Sequence, residues 1–222
     1  MTGTGAAPPD ARVAQPAIIR ITHWLNVPAL VIMAGSGLQI LAAFPDFGAR
    51  GARYTWYPLA ERAPPGWLTL GGWLAGARAL HFAAAWLLVV NGVGYLTYAF
   101  VSGEWRRRIF RPRSDARGAV QMALHYLRLR KEPPPVDLYN PLQRLAYTSA
   151  TALGIVQVLS GLALYKPVQL SWLTAAFGGY DSARFVHFAG MLLLAAFTLA
   201  HVVMVLVHPR TLRDMVTGGA RR

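Results

Sequence analysis

The chain has 222 residues, of which 55% are hydrophobic and 14% are charged, and its formal net charge is +13. Soluble domains usually carry about 25% charged residues, so this composition favours a membrane protein. The chain contains no cysteine, which excludes disulfides and every metal centre that needs thiolate ligands. Histidine is then the leading metal ligand, with methionine a weaker one.

Four long apolar runs predict an all-α integral membrane protein, a four-helix bundle. They cover about residues 17–41, 79–101, 145–165 and 185–207. Each run is close to the ~20 residues that cross a bilayer, and backbone groups in lipid must be bonded internally, which favours helices. We expect one domain over 17–217. Residues 1–16 lack the apolar core of a signal peptide and are predicted to be a disordered tail, and residues 218–222 form a second tail.

The 22 Lys and Arg residues are unevenly placed. Ten lie in the central loop between Arg106 and Arg144, two near the first run and four after the last run, whereas six lie in the other two connections and at their edges. Because short loops rich in Lys and Arg stay in the cytoplasm, both termini and the central loop are predicted to be cytoplasmic. This placement favours membrane lipid, and not nucleic acid, as the partner of the basic loop.

The two long connections have different compositions. Residues 42–78, on the outer side, are rich in Pro, Gly, Trp and Tyr. These aromatics either sit at the lipid–water boundary or form a docking platform for an external partner, and the sequence leaves both open. In the central loop, Val120, Leu124 and Leu127 share one helical face near several cations, which predicts a helix lying on the membrane surface.

An internal repeat relates the two halves of the chain. "ARALHFAA" (77–84) resembles "ARFVHFAG" (183–190), and "GSGLQI" (35–40) resembles "LSGLAL" (159–164). Alignment of Ser36 with Ser160 places His23 opposite Tyr147, and alignment of His81 with His187 places His201 opposite Tyr95. The helix pairs 1–2 and 3–4 are therefore predicted to share one design, although the inner-side histidines come only from helices 1 and 4.

Four histidines form two predicted pairs. His81 and His187 begin the second and fourth runs on the outer side, whereas His23 and His201 lie on the cytoplasmic side. His187 and His201 are 14 residues apart, which places them roughly 21 Å apart along one helix face. Polar groups in lipid are by default functional. Two imidazoles on facing helices suit the axial positions of a haem iron, whereas zinc prefers three or four converging ligands. The pattern predicts two haem b groups.

Other residues near the histidines have less specific interpretations. Arg78 and Arg184 each precede a predicted ligand by three residues and are expected to bind haem propionates, or else to snorkel towards water. Small residues could admit a flat macrocycle or serve close helix packing: Gly35, Gly37, Gly92, Gly94, Gly161 and Gly190. His125 and His208 are expected to be exposed or at the head-group boundary.

Several segments together resemble one known family. "RITHW", "YNPLQRLAY", "ARFVHFAG" followed by His201, and "HPRTLRDMVTGG" are similar to the bacterial cytochrome b561 and nickel–iron-hydrogenase-type cytochrome b family. That family includes the gamma subunits of formate dehydrogenases and thiosulfate-reductase-like cytochromes b. The resemblance covers about residues 17–217. It implies a cytoplasmic-side haem on His23 and His201 and a periplasmic-side haem on His81 and His187.

The resemblance also implies a quinone site. Asn140 and Gln143 match an Asn and a Gln that lie beside the inner haem in the formate dehydrogenase branch. Their amides can hydrogen-bond a quinone carbonyl or hydroxyl. A simpler interpretation is that Asn140 caps the third helix with Pro141 at its first position, and the two interpretations are compatible.

We therefore expect a multi-pass diheme cytochrome of the bacterial inner membrane. As an electron-transfer subunit it would exchange electrons between menaquinone or ubiquinone and a periplasmic oxidoreductase of the molybdopterin or hydrogenase type, and anchor that partner. Two alternatives stay open: a stand-alone quinone oxidoreductase that uses a small reductant such as superoxide, and a non-redox transport or structural bundle. The direction of electron flow does not follow from the sequence.

Overall fold

A computed structural model describes residues 15–48, 62–134, 139–207 and 209–219. Within these ranges all regular structure is helical and no strand occurs. The α-helices are α1 (Ala17–Ala43), α2 (Leu74–Val101), α3 (Trp105–Arg108), α4 (Pro112–Tyr126), α5 (Pro141–Tyr165), α6 (Ser171–Ala176), α7 (Tyr180–Val207) and α8 (Pro209–Thr217), and a 3-10 turn covers Gly66–Leu68. Residues 1–14 and 220–222 of the predicted tails (1–16 and 218–222), and residues 49–61 of the aromatic connection, lie outside the described residues.

Four of these helices are long and apolar enough to cross a membrane: α1, α2, α5 and α7. They have 27, 28, 25 and 28 residues, or about 40 Å each at 1.5 Å per residue. The prediction of an all-α membrane bundle is therefore confirmed. Helix α2 begins at Leu74 and α7 at Tyr180, before the apolar runs that start at 79 and 185. Hydropathy marks only the apolar part of a helix, whereas the helical backbone hydrogen bonds begin earlier, in its more polar first turns.

The chain divides into two compact units. The histidine unit comprises residues 21–95 and 152–196 and contains His23, His81 and His187. The basic unit comprises residues 1–20, 96–151 and 197–222. By sequence the basic unit holds sixteen of the 22 Lys and Arg residues, namely the ten of the central loop, the two near the first run and the four after the last run.

Small side chains and one aromatic cluster form the interior of the histidine unit. Ala77, Ala163 and Ala183 are fully buried, which fits the close approach of membrane helices at small residues. Phe47 packs with Phe185 and Phe188, the ring centres lying 5.7 and 5.2 Å away. Large apolar side chains such as Val31, Trp86 and Leu192 face outwards. The apolar outer surface is what a lipid solvent requires.

In the basic unit the ends of the described chain are hydrogen-bonded. The Gln15 N–H donates to the Gly218 carbonyl at 2.9 Å, and the Arg108 guanidinium donates to Gln15 Oε1 at 3.2 Å. Both Gln15 and Gly218 belong to the segments predicted as tails, so the folded part extends slightly beyond 17–217.

Helix α4 has an exposed apolar face. Val120, Leu124 and Leu127 are exposed, whereas Ala119 and Met122 of the same region are buried. Leu127 lies at the C-cap, one residue after the last helical residue. The exposed face is the one predicted to lie on the membrane surface.

Candidate functional site

His81 of α2 and His187 of α7 lie side by side in the histidine unit. Their ring centres are 6.2 Å apart, and the ring planes meet at 66°. Each ring is half-buried. The structure thus brings together the two outer-side histidines that the sequence predicts as a pair.

Each of these rings has a serine partner on another helix. Ser36 Oγ of α1 lies 3.0 Å from His81 Nδ1, and Ser160 Oγ of α5 lies 2.9 Å from His187 Nδ1. Both serines are completely buried. The sequence comparison used these serines only to align the repeat and gave them no role. The signal was present, since each serine precedes a glycine at matching positions of the two halves.

Glycine makes room for each imidazole. A Cβ added to Gly37 would lie 3.3 Å from His81 Cε1, and one added to Gly161 would lie 3.3 Å from His187 Cε1. These distances are tighter than most real Cβ contacts, so a larger residue would displace the ring. The other candidate glycines differ: Gly35 faces Leu70, Gly190 faces Gln157, and Gly92 and Gly94 have no such neighbour within 4 Å.

The pair His81 and His187 fits the axial ligands of one haem iron. Imidazole–metal bonds are about 2 Å long, so the centres of two rings on opposite sides of one metal lie about 6 Å apart. The observed separation is 6.2 Å. Within residues 15–48, 62–134, 139–207 and 209–219, no group of three or more His, Asp or Glu side chains converges on one point. The donor set thus suits a two-ligand haem iron better than zinc.

The two inner-side histidines belong to different units. In the histidine unit, His23 makes an edge contact with Trp24, with ring centres 5.4 Å apart. In the basic unit, His201 stacks on Phe197, with centres 6.0 Å apart and planes 16° from parallel. Both side chains are half-buried in helices long enough to span a membrane. Their pairing around a second haem stays a prediction.

The buried side-chain amide of Asn91 lies against the part of α1 that carries His23. Asn91 Nδ2 of α2 donates to the Thr22 carbonyl at 2.8 Å and to Asn26 Oδ1 at 2.7 Å. Thr22 and Asn26 flank His23 on α1, so these bonds fix the helix surface that carries this histidine. The sequence analysis missed this contact, although an asparagine within an apolar run was a visible signal.

The two arginines that precede the outer histidines differ in their surroundings. Arg184 donates to the carbonyls of Phe44 and, at 2.9 Å, Asp46, and its guanidinium lies 4.9 Å from the centre of the Phe47 ring. Arg78 is exposed and lies 5.9 Å from the ring centre of Phe82, one turn further along α2. Propionate binding by Arg78 and Arg184 stays a prediction.

Asn140 and Gln143 form a capping box at the start of α5. Asn140 Oδ1 accepts the Gln143 N–H at 2.8 Å, and Gln143 Oε1 accepts the Asn140 N–H at 3.1 Å. Asn140 Nδ2 also donates to the Tyr126 hydroxyl at 3.4 Å. The capping interpretation therefore describes the structure, and both side-chain oxygens accept backbone N–H groups. A quinone or quinol contact would use the amide N–H groups or the second lone pair of each oxygen.

Next to this cap lies an ion pair that the sequence analysis did not predict. Arg144 of α5 and Asp115 of α4 are both buried, with Nη1 and Oδ1 3.3 Å apart. Burial raises the pKa of the Asp115 carboxyl, but the Arg111 N–H, the Ser114 hydroxyl and the Arg144 charge outweigh burial and hold this pKa below its usual value.

The remaining histidines lie apart from these sites or outside the described residues. His125 Nδ1 lies 3.1 Å from the Arg130 carbonyl, a local contact at the end of α4. His208 lies outside the described residues. His125 therefore serves as a control residue for tests of haem binding.

Comparison with known proteins identifies relatives of this chain. Residues 14–218 match the family described as prokaryotic cytochrome b561. A putative protein-methionine-sulfoxide reductase subunit, YedZ1, of Azospira oryzae is 45% identical over 203 residues, which is 91% of this chain and 95% of the relative. The probable Ni/Fe-hydrogenase B-type cytochrome subunit of Azotobacter vinelandii is 25% identical, over 91% of this chain and 85% of its own. The probable Ni/Fe-hydrogenase 1 B-type cytochrome subunit of Escherichia coli is 24% identical, over 85% of this chain and 79% of its own.

Proposed function

The chain belongs to the prokaryotic cytochrome b561 family, and from this premise we propose that it carries electrons through two b haems between the quinone pool and a partner oxidoreductase. Membership and the four spanning helices make it a multi-pass protein of the bacterial inner membrane that binds b-type haem and transfers electrons. The number of haems, the quinone and the partner are parts of the proposal.

The single observation that carries the proposal is the His81–His187 pair. The two rings approach at a distance suited to one iron, and each is held by a buried serine with a glycine beside it. His81 and His187 would hold a haem, which would supply one-electron chemistry at this place. The serines and glycines beside the two rings would orient them towards that group.

The other predicted residues complete the proposed path. His23 and His201 would hold the second, cytoplasmic-side haem, and the His81–His187 haem would lie on the periplasmic side. Asn140 and Gln143, through their amide N–H groups, would bind menaquinol or ubiquinol near the inner haem. Arg78 and Arg184 would neutralise propionates of the outer haem.

The relatives favour a reductase as the partner. The relative with 45% identity is described as a subunit of a protein-methionine-sulfoxide reductase, whereas the hydrogenase cytochromes are 24–25% identical. Reduction of one methionine sulfoxide to the thioether and water consumes two electrons and two protons, which is what oxidation of one quinol to quinone releases. We therefore propose flow from quinol to a periplasmic sulfoxide reductase, one haem electron at a time.

The proposal is tested with the purified chain in detergent. Mixing it anaerobically with a soluble quinol analogue should reduce the b haem, and adding the co-purified partner with oxidised methionine peptide should reoxidise it. The matched control omits the sulfoxide but keeps the partner. Haem that quinol does not reduce would contradict the quinone part. Reduction of the oxidised haem by H₂ through the partner, with no reoxidation by sulfoxide, would favour a hydrogenase partner.

A further inference from the structure

We propose that Ser36 and Ser160 are positioning residues that fix His81 and His187 in the tautomer protonated at Nδ1, so that each Nε2 faces the metal with a free lone pair. This inference rests on the proposed haem function, because it concerns the tautomer that the two histidines adopt before haem binds. Neither serine is part of the sequence-predicted site.

The argument begins with the single proton of each hydroxyl. Ser36 Oγ lies 2.5 Å from the Ile32 carbonyl oxygen, and Ser160 Oγ lies 2.7 Å from the Val156 carbonyl oxygen, each four residues earlier in its helix. Two oxygens at such distances need a proton between them, because otherwise their lone pairs repel. Each serine therefore donates its only proton to its own helix.

The tautomer follows from this assignment. A serine hydroxyl has one O–H donor and accepts with its remaining lone pairs. Because the proton is already donated to a backbone carbonyl, the contacts of Ser36 with His81 and of Ser160 with His187 require the imidazole Nδ1 to donate. Their lengths of 3.0 and 2.9 Å match ordinary N–H···O bonds. In a neutral imidazole with Nδ1–H, the other nitrogen, Nε2, is the one able to bind a metal.

Burial makes this arrangement costly to alter. The His81 ring also donates to the Met33 carbonyl and the His187 ring to the Gln157 carbonyl, and both carbonyls favour the same protonated nitrogen. Both serines have 0% exposure, so water does not replace a serine oxygen that is removed, and the ring then keeps only the backbone acceptor. Gly37 and Gly161, the next residues, let the ring approach because a Cβ there would press on Cε1. The same Ser–Gly pair facing a histidine occurs in both halves of the histidine unit. The same arrangement would thus set both histidines that are proposed to hold one haem.

The arrangement has a predictable electronic effect. An Nδ1–H that donates to an oxygen makes the imidazole a better electron donor, which stabilises ferric over ferrous iron. Loss of the serine acceptor should shift the ferric–ferrous equilibrium at most about fivefold towards ferrous, since a net hydrogen bond is worth about 1 kcal/mol and the backbone acceptor remains. At 59 mV per tenfold for one electron, the midpoint potential of that haem rises by at most about 40 mV.

The experiment compares Ser36→Ala and Ser160→Ala with the wild type. Ser→Thr variants keep the hydroxyl, and Thr151→Ala removes a hydroxyl that makes the same bond to its own helix, at 2.9 Å to the Tyr147 carbonyl. Haem content, the potential of each haem and the low-spin ferric EPR signal are measured. Histidine-labelled apoprotein, studied by solid-state NMR, reports the tautomer without haem.

The outcomes separate the inference from the function on which it rests. We expect each Ala variant to raise one haem potential, alter its EPR signal and weaken haem retention by about 10- to 100-fold, the usual range for partners of metal ligands. The Thr variants should restore these properties, and Thr151→Ala should match the wild type. Haem-loaded Ala variants with unchanged potential and EPR signal, or an Nε2-protonated apoprotein, would overturn the inference while leaving the function standing. A wild type without haem would remove the function itself.

Discussion

In the histidine unit every buried polar side chain among the described residues is neutral, whereas three of the four in the basic unit are charged. The neutral ones are Thr22, Ser36, Asn91 and Ser160. Those of the basic unit are Arg108, Asp115, Asn140 and Arg144. A charge in an apolar medium costs several kcal/mol unless it is paired, while a neutral group needs only a hydrogen bond. Among the described residues, the histidine unit therefore joins its helices through buried neutral hydrogen bonds such as those of Asn91, whereas the basic unit joins α5 to α4 through the buried Arg144–Asp115 ion pair.

The sharpest way to break the histidine unit is to remove one ring of the His81–His187 pair. His187→Ala should lose one haem per chain completely, because iron coordination cannot be completed by alanine. His125→Ala, which removes contacts with the Arg130 carbonyl and the Tyr126 ring in the basic unit, should keep the wild-type amount. Haem per polypeptide and the reduced-minus-oxidised spectrum measure the difference. Equal haem content in both variants would show that the His81–His187 pair does not bind haem.

The stability of the protein should fall when one charge of the Arg144–Asp115 ion pair in the basic unit is removed. Asp115→Asn removes the carboxylate charge that lies 3.3 Å from the buried Arg144 guanidinium, which should cost up to about 3–5 kcal/mol of stability. Glu132→Gln, which neutralises an exposed carboxyl in the following loop, should change stability by less than about 0.5 kcal/mol. Thermal unfolding in detergent compares the two variants. Equal midpoints would contradict a structural role for the pair.

The same pair predicts a pH dependence. Because the pKa of Asp115 is lower in the folded state, its ionised form stabilises the fold. That contribution is fully present above the unfolded pKa of about 3.9 and is lost as the pH falls through the folded pKa. The difference in unfolding midpoint between wild type and Asp115→Asn should therefore be constant near neutral pH and shrink in strong acid. A difference that grows on acidification would have the wrong sign.

Glycine beside a histidine offers a smaller perturbation of the histidine unit. Gly161→Ala places a Cβ against His187 Cε1 and should cost about 1–3 kcal/mol through overpacking, with a displaced ring and faster haem loss. Gly92→Ala, at a helical position without such a neighbour, should instead stabilise by about 0.5–1 kcal/mol. Haem release to apomyoglobin and thermal midpoints test the contrast. Similar behaviour of both variants would show that Gly161 is not needed to accommodate the His187 ring.

The smallest effect on stability is expected at the capping box of the basic unit. Gln143→Glu keeps an oxygen that accepts the Asn140 N–H, so the cap should survive. It removes the amide N–H group proposed to bind quinol, and KM for quinol should rise by roughly 2- to 10-fold, the value of one hydrogen bond. Steady-state quinol oxidation and thermal unfolding are measured together. A lowered unfolding midpoint with unchanged KM would assign Gln143 to the cap alone.

Hydropathy and repetition made much of this structure predictable. Four apolar runs predicted four spanning helices, because a lipid solvent demands long apolar helices. Repeat and topology together predicted the meeting of His81 and His187. These are properties of residue type and spacing, which one sequence contains.

The remaining contacts depend on side-chain direction and on residues distant in sequence. The sequence does not show that the Ser36 hydroxyl faces His81, 45 residues away. Nor does it pair Asp115 of α4 with Arg144 of α5, because many cations lie between them in sequence and Asp115 therefore had several alternative partners. Propionate binding by Arg184, expected from its spacing to His187, stays a prediction, but its hydrogen bonds to carbonyls of the chain after α1 were not visible in the sequence. Such contacts follow from the packed fold and not from local pattern.

The central claim is that the chain holds two b haems, and haem stoichiometry tests this claim most directly. The purified protein, expressed with adequate haem, is assayed by pyridine haemochrome against peptide quantified by amino-acid analysis. The account predicts two haems per chain, and one in the double variant His81→Ala, His187→Ala. A wild type with a single haem that the double variant keeps, or with none, would contradict it.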